Sequence, residues 1–114
     1  MPCFYQYKYY TEKIAASQIS FLSKAATRIG ASITNNSSGY FITFSNGSTA
    51  TVTAEGSNYT ISSRDENSIG NLMQEAVVAK VKATLELEGK SVERRDVKGE
   101  IELVVTELGV LNGR

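Results

Sequence analysis

The stretch that decides the fold is residues 39–54, which read GYFITFSNGSTATVTA. Apolar and polar side chains alternate on both sides of Asn46-Gly47, and a period of two residues is typical of strands with one buried face. The Asn-Gly pair predicts a type I′ turn, because both central residues of that turn need positive φ. We therefore expect an antiparallel hairpin with Ile42 and Val52 on the core face and threonines on the other face.

The alternation continues outward from this hairpin into a β-meander over residues 31–62. Gly39 and Gly56 mark the adjoining turns, and the apolar positions resume at Tyr59 and Ile61. Clusters of Gly, Asn and Ser cut the segment into short pieces, which is typical of strands joined by tight turns.

One strand and one helix are predicted before the meander. Residues 3–10 are rich in aromatic side chains, which favour a pleated surface, and they predict the first strand. Residues 17–29 carry apolar side chains at helical spacing and predict the first helix. Ser17 is its candidate N-cap, and Gly30 lies just past its end.

A second helix and a hairpin are predicted after the meander. The helix begins at Asp65 or Ser68 and ends at Glu88, which makes it the longest element of the chain. Residues 91–95 and 100–106 have the pattern of two short strands joined by a tight turn.

The predicted order is β-α-β-β-β(β)-α-β-β, which places the chain in the α+β class. Such an order favours a single antiparallel-rich sheet with two helices on one face. We expect residues 1–107 to form one domain, and residues 108–114 to be a frayed C-terminal tail.

Composition argues against several classes of function. Twelve Lys and Arg balance twelve Asp and Glu, so no basic field favours a nucleic acid partner. The chain has no histidine, and its single Cys3 cannot build a metal site, so we expect no metal, no cofactor and no enzymatic activity. No apolar run is long enough to span a membrane, and we expect a cytoplasmic protein.

The element order and several short motifs resemble a known family, the small proteins named hypothetical chloroplast open reading frame thirty-five, which also occur in bacteria. The motifs are Phe4 in the opening strand, Gly30 after the first helix, Tyr59-Thr60-Ile61 before the long helix, and a closing stretch at 99–105. The resemblance implies the α+β fold and no defined activity.

The second helix carries two apolar stripes. The broad stripe predicts the core face, and its members are Ile69, Leu72, Met73, Ala76, Val77, Ala79, Ala83 and Leu87. Val78, Val81 and Leu85 form a second stripe where a surface helix should be polar, which indicates a second buried surface. A long loop of this chain could cover that surface. We favour a non-catalytic interaction protein, an adaptor, inhibitor or assembly subunit, that self-associates or docks on a protein partner through this second stripe.

The aromatic first strand indicates an alternative function. Tyrosines on a sheet next to a cation can bind a small ligand or a nucleotide by stacking and ion pairing. In this alternative, Tyr5, Tyr7, Tyr9 and Arg64 contact the ligand in a pocket between the first strand and the meander.

Overall fold

The computed structural model describes residues 9–107, which contain seven strands and two α-helices. This confirms the predicted α+β class. The elements are β1 (Tyr10–Ala15), a 3₁₀ helix (Ala16–Gln18), α1 (Ile19–Arg28), β2 (Ser32–Asn36), β3 (Gly39–Thr43), β4 (Thr49–Glu55), β5 (Asn58–Ser63), α2 (Glu66–Leu87), β6 (Lys90–Val97) and β7 (Glu100–Glu107).

The first strand differs from its predicted position. β1 begins at Tyr10 and shares only that residue with the predicted strand at 3–10. Residues 1–8 lie outside the described residues, as does the predicted tail at 108–114. β1 pairs antiparallel with β5, where Ile14 faces Tyr59 and is buried. Long-range pairing with β5 therefore fixes this strand, and local aromatic content does not.

The strands form two sheets where the sequence predicted one. Five strands pair antiparallel in the order β1-β5-β4-β3-β2, and among the described strands β6 pairs only with β7. The difference has a local cause, because the turn at Lys98-Gly99 returns the chain directly onto β6. A hairpin closed in this way satisfies its inner backbone groups without joining another sheet.

The chain divides into two compact units, Met1–Val77 and Val78–Arg114, with the boundary inside α2. Compact units need not be separate domains, so the expectation of one domain over 1–107 stays a prediction.

The first unit has one apolar core. One face of the five-stranded sheet packs against α1 and the first half of α2, as the sequence predicted for two helices on one face. The other face of β4 carries exposed threonines. The buried core residues are Ile14, Leu22, Ala25, Ala26, Ile42, Phe44, Ala50, Val52, Ile61, Ile69, Leu72 and Ala76.

The prediction for the C-terminal end of α1 is confirmed, and the prediction for its N-terminal end is wrong. Gly30 has φ of +77° just past the helix, as predicted, and its N–H donates to the carbonyl of Thr27 at 3.2 Å. The N–H of Ala31 donates to the carbonyl of Ala26 at 2.8 Å, which completes a Schellman motif. The prediction of Ser17 as N-cap is wrong, because the chain first makes a 3₁₀ turn and α1 begins at Ile19.

The type I′ turn that the sequence predicts at Asn46-Gly47 is found at Lys98-Gly99 instead. Among the described non-glycine residues only Lys98 has positive φ, so Asn46-Gly47 is not a type I′ turn. Instead, Gly47 donates to the carbonyl of Phe44 in a three-residue loop. Lys98 and Gly99, with φ of 52° and 81°, make the two-residue type I′ turn.

The core face of α2 is shorter than predicted. Ile69, Leu72 and Ala76 are buried, but Val77 is 55% exposed and Leu87 is 89% exposed. Placing those two residues in the core was wrong, because the buried part of the helix stops at Ala76. Neither of the described helices is long and apolar enough to cross a membrane.

Candidate functional site

A polar network holds the β3–β4 loop against the start of α2. The side-chain nitrogen of Asn46 donates to Oδ2 of Asp65 at 2.8 Å, and the Ser48 hydroxyl donates to the same oxygen at 2.8 Å. The hydroxyl of Ser68 donates to Oδ2 at 2.6 Å, and its N–H donates to Oδ1 at 3.1 Å. Asp65 is therefore the N-cap of α2 and also the anchor of the loop.

This network changes the acidity of Asp65. Hydrogen bonds from Ser68, Asn46 and Ser48 all favour the ionised carboxylate, and they hold the pKa of Asp65 well below its usual range. Partial burial acts in the opposite direction and is outweighed. The carboxylate is thus charged at neutral pH, with its oxygens already occupied by four donors. We assign it a structural role at the rim of the neighbouring cleft.

An open cleft of about 800 Å³ lies in the first unit, beside this network. Its walls come from Tyr9 and the first residue of β1, the β3–β4 loop with the start of β4, and the end of β5 with the start of α2. The lining residues are Tyr9, Tyr10, Gly47, Ser48, Thr49, Ala50, Thr51, Ser62, Ser63, Arg64, Asp65, Glu66 and Asn67. Hydroxyl groups dominate this lining, which also has two aromatic rings, the carboxylates of Asp65 and Glu66, and one guanidinium.

Tyr9 and Arg64 meet in the cleft. The guanidinium carbon of Arg64 lies 5.5 Å from the centre of the Tyr9 ring, and Nε of Arg64 donates to the Tyr9 hydroxyl at 3.4 Å. The β1–β5 register explains the contact, because Tyr10 lies opposite Ser63 and the next residues on each strand become neighbours. Tyr9 stays 59% exposed, so its ring is accessible from the cleft.

The predicted ligand residues are thus described only in part. Tyr9 and Arg64 line one cleft, as the alternative function requires, whereas Tyr5 and Tyr7 lie outside the described residues. Ligand binding itself stays a prediction. The contact of Asn46, Ser48 and Ser68 with Asp65 was not predicted, although aspartate is a preferred N-cap residue.

The predicted partner-binding stripe lies in the second unit. Val81 is 40% exposed, and Val78 and Leu85 are half-buried. None of the described residues from 78 to 107 is fully buried, since every core residue lies between Ile14 and Ala76. The stripe is therefore at least partly open to solvent in the single chain.

The hairpin of the second unit has a row of apolar side chains along β7. Val92 lies opposite Val105, and the neighbouring positions of β7 on this face are Ile101 and Leu103. Val105 is 43% exposed, while Val92, Ile101 and Leu103 are half-buried. On the same face, Arg94 lies opposite Leu103 and Asp96 lies opposite Ile101, so the apolar side chains form a row along β7 beside charged residues of β6. None of the described residues of the hairpin is fully buried.

The described residues contain no group of three or more His, Cys, Asp or Glu that could hold a metal ion. Comparison of the chain with family models, curated proteins and solved structures gave no match. The resemblance to the chloroplast open reading frame thirty-five family stays a prediction.

Proposed function

We propose that this chain is a non-catalytic assembly protein that binds a second copy of itself through Val78, Val81 and Leu85 of α2. The observation that carries the proposal is the absence of any fully buried residue among residues 78–107, in a unit with apolar side chains on both its helix and its hairpin. A polypeptide of about 40 residues rarely has enough core to be stable by itself. Association with another copy would supply the missing buried area.

The charge of the second unit favours a second copy as the partner. Residues 78–107 contain six basic and seven acidic side chains, and the whole chain has a formal net charge of zero. Two copies therefore approach each other without net repulsion, which favours self-association. A strongly basic or acidic partner would gain little from this surface.

The proposal includes no chemical step. The chain has no histidine and one cysteine, and the one described carboxylate with a shifted pKa, Asp65, is engaged by four hydrogen-bond donors. A cytoplasmic location and membership of the chloroplast open reading frame thirty-five family belong to the same proposal. A chain with a single cysteine suits a reducing compartment.

The substitution Val81→Asp tests the assembly surface. We expect the natural chain to run at twice its mass of 12.4 kDa in light scattering on a size-exclusion column. Val81→Asp buries an unpaired carboxylate in the contact, and it should weaken association at least about tenfold, which is about 1.4 kcal/mol.

Leu87→Asp is the matched control. Leu87 belongs to the same helix, is 89% exposed, and lies roughly opposite Val78 and Leu85 on the helix and about 120° from Val81. It receives the same carboxylate and should leave the mass unchanged. A natural chain that runs as a monomer at tens of micromolar would contradict the proposal. So would a dimer that Leu87→Asp dissociates and Val81→Asp leaves intact.

The cleft supports a second candidate function, which is the binding of a small ligand such as a nucleotide. A volume of about 800 Å³ is in the range of ligand pockets, and the Tyr9 ring beside the Arg64 guanidinium combines a stacking surface with a positive charge. A base could stack on the ring while a phosphate pairs with the guanidinium. Tyr5 and Tyr7 would extend this ligand site.

Thermal shift with a panel of nucleotides tests the ligand site. A ligand present at one hundred times its Kd stabilises the native state by about 2.7 kcal/mol, which should raise the Tm by several degrees. We expect Arg64→Ala to abolish the shift, whereas Tyr9→Phe, which keeps the ring, should retain most of it. If no nucleotide changes the Tm, or if Arg64→Ala responds like the natural chain, the cleft does not bind nucleotides in this way.

A further inference from the structure

Within residues 9–107, both edges of the β6–β7 hairpin lack a neighbouring strand. β6 and β7 pair only with each other in this part of the chain, and each strand has eight residues. A two-stranded sheet is at best marginally stable in water, and the outer backbone groups of each strand are ready to pair with another chain. A further strand on either edge would therefore stabilise the hairpin.

The turn identifies which backbone groups of β7 point outward. Lys98-Gly99 is a two-residue type I′ turn, so the flanking pair Val97 and Glu100 is hydrogen-bonded within the hairpin. Hydrogen-bonded and non-hydrogen-bonded pairs then alternate along the strands. The N–H and C=O groups of Ile101, Leu103 and Val105 consequently face the free edge of β7.

Two β7 strands fit each other in an antiparallel register that is centred on Leu103. With Leu103 on the two-fold axis, Leu103 lies opposite its own copy and Ile101 lies opposite Val105 of the second copy. The other face then has Glu102 opposite Val104, and no two acidic side chains lie directly opposite each other. Centring the pair on residue 102 instead sets Glu102 against Glu102, which is unfavourable.

The free edge of β6 is less suitable for such pairing. Centring two β6 strands on residue 93, 94 or 95 places Glu93, Arg94 or Arg95 directly opposite its own copy. In addition, Arg94 donates from Nε to Oδ1 of Asp96 at 2.9 Å, so two charges of this strand already pair within it. Charge complementarity therefore selects β7.

We propose that β7 of one copy pairs antiparallel with β7 of a second copy about a two-fold axis at Leu103, which makes a continuous four-stranded sheet. The inference rests on the proposed function, because it specifies how the same second unit binds its second copy. The pairing adds a row of apolar contacts among Ile101, Leu103 and Val105 from both copies. It also satisfies the outward backbone groups of β7, which no other described strand does.

Disulfide cross-linking tests the register. In a Cys3→Ser background, which removes the only native thiol, Leu103→Cys places two cysteines across the axis. Their Cα atoms would lie about 5.5 Å apart, within the range for a disulfide. Ile101→Cys is the matched control, because its two copies are separated by four residues along the strand, about 13 Å.

We expect mild oxidation to link most of the Leu103→Cys chains as dimers on a non-reducing gel and to leave Ile101→Cys unlinked. An equimolar mixture of Ile101→Cys and Val105→Cys should link to each other, which reports the same register from a second position. Suppose that the samples have the mass of a dimer, but that neither Leu103→Cys nor the mixture forms a disulfide. This result would overturn the β7 pairing and leave the proposed function intact. A monomeric natural chain would overturn both.

Discussion

Replacing Gly39 with alanine should destabilise the protein by about 3 kcal/mol or more, a large part of the stability of a domain of this size. Gly39 begins β3, and a Cβ at this position would overlap the backbone carbonyl oxygen of Val52. Backbone cannot move aside as a flexible side chain can. Relief of the overlap would separate β3 from β4, where Ile42 and Val52 form part of the core.

Gly70→Ala is the control for this substitution. Gly70 lies inside α2, has ordinary helical geometry, and has no atom near the position of an added Cβ. Alanine at this site should stabilise the protein by up to about 1 kcal/mol, because glycine is a poor helix former. Urea denaturation followed by circular dichroism measures both variants. Equal stability of Gly39→Ala and the natural chain would mean that β3 and β4 do not pair this closely.

Much of the first unit could be predicted because its signals are local. Alternation around Ile42 and Val52 follows from the two-residue period of a strand, and Gly30 terminates α1 through its own positive φ. β1 could not be located in this way, since only Ile14 of its six residues is buried and its partner β5 lies more than 40 residues away. Its strand conformation depends on that distant partner.

The sites show the same division between local and distant information. Helical spacing is enough to place Val78, Val81 and Leu85 on one stripe. It cannot show where the buried part of α2 stops, because that depends on how far the sheet extends beneath the helix. The pairing of Tyr9 with Arg64 joins residues 55 positions apart, and the β1–β5 register that creates it is set by the whole sheet.

The free edge of β7 could not be predicted from the sequence either. The predicted hairpin formed, but its value as a pairing surface depends on its separation from the five-stranded sheet. It further depends on the type I′ turn at Lys98-Gly99, which fixes the residues whose backbone groups face outward. The sequence placed that turn type at Asn46-Gly47 instead. The turn at Lys98-Gly99 therefore determines which backbone groups of β7 are available for assembly.

Replacing Asp65 with asparagine should cost about 2 kcal/mol of stability at pH 7. The carboxylate accepts hydrogen bonds from Asn46, Ser48 and the backbone and side chain of Ser68, and hydrogen bonds to a charged group are stronger than neutral ones. Asparagine keeps the shape and can cap the helix, but its amide nitrogen would face other donors. The start of α2 and the β3–β4 loop should loosen together.

The same variant tests the lowered pKa of Asp65, because it removes the titrating group. In the unfolded chain this carboxyl binds a proton below about pH 4, whereas the folded chain keeps it ionised to lower pH. The unfolded state then binds more protons, so the stabilisation is complete above pH 4 and is lost as the pH falls toward the folded pKa. The stability difference between the natural chain and Asp65→Asn should therefore shrink by more than half between pH 6 and pH 2.

The neighbouring substitution Glu66→Gln separates this effect from a general effect of charge at the helix start. Glu66 lies in the first turn of α2 and is exposed, and its removal should cost at most about 0.5 kcal/mol. Urea denaturation of the three proteins at pH 6, 4, 3 and 2 gives the comparison. A difference between Asp65→Asn and the natural chain that stays constant with pH would show that the hydrogen bonds act without favouring the charge. Equal losses for both variants would assign the effect to the helix dipole, since both carboxylates lie at its positive end.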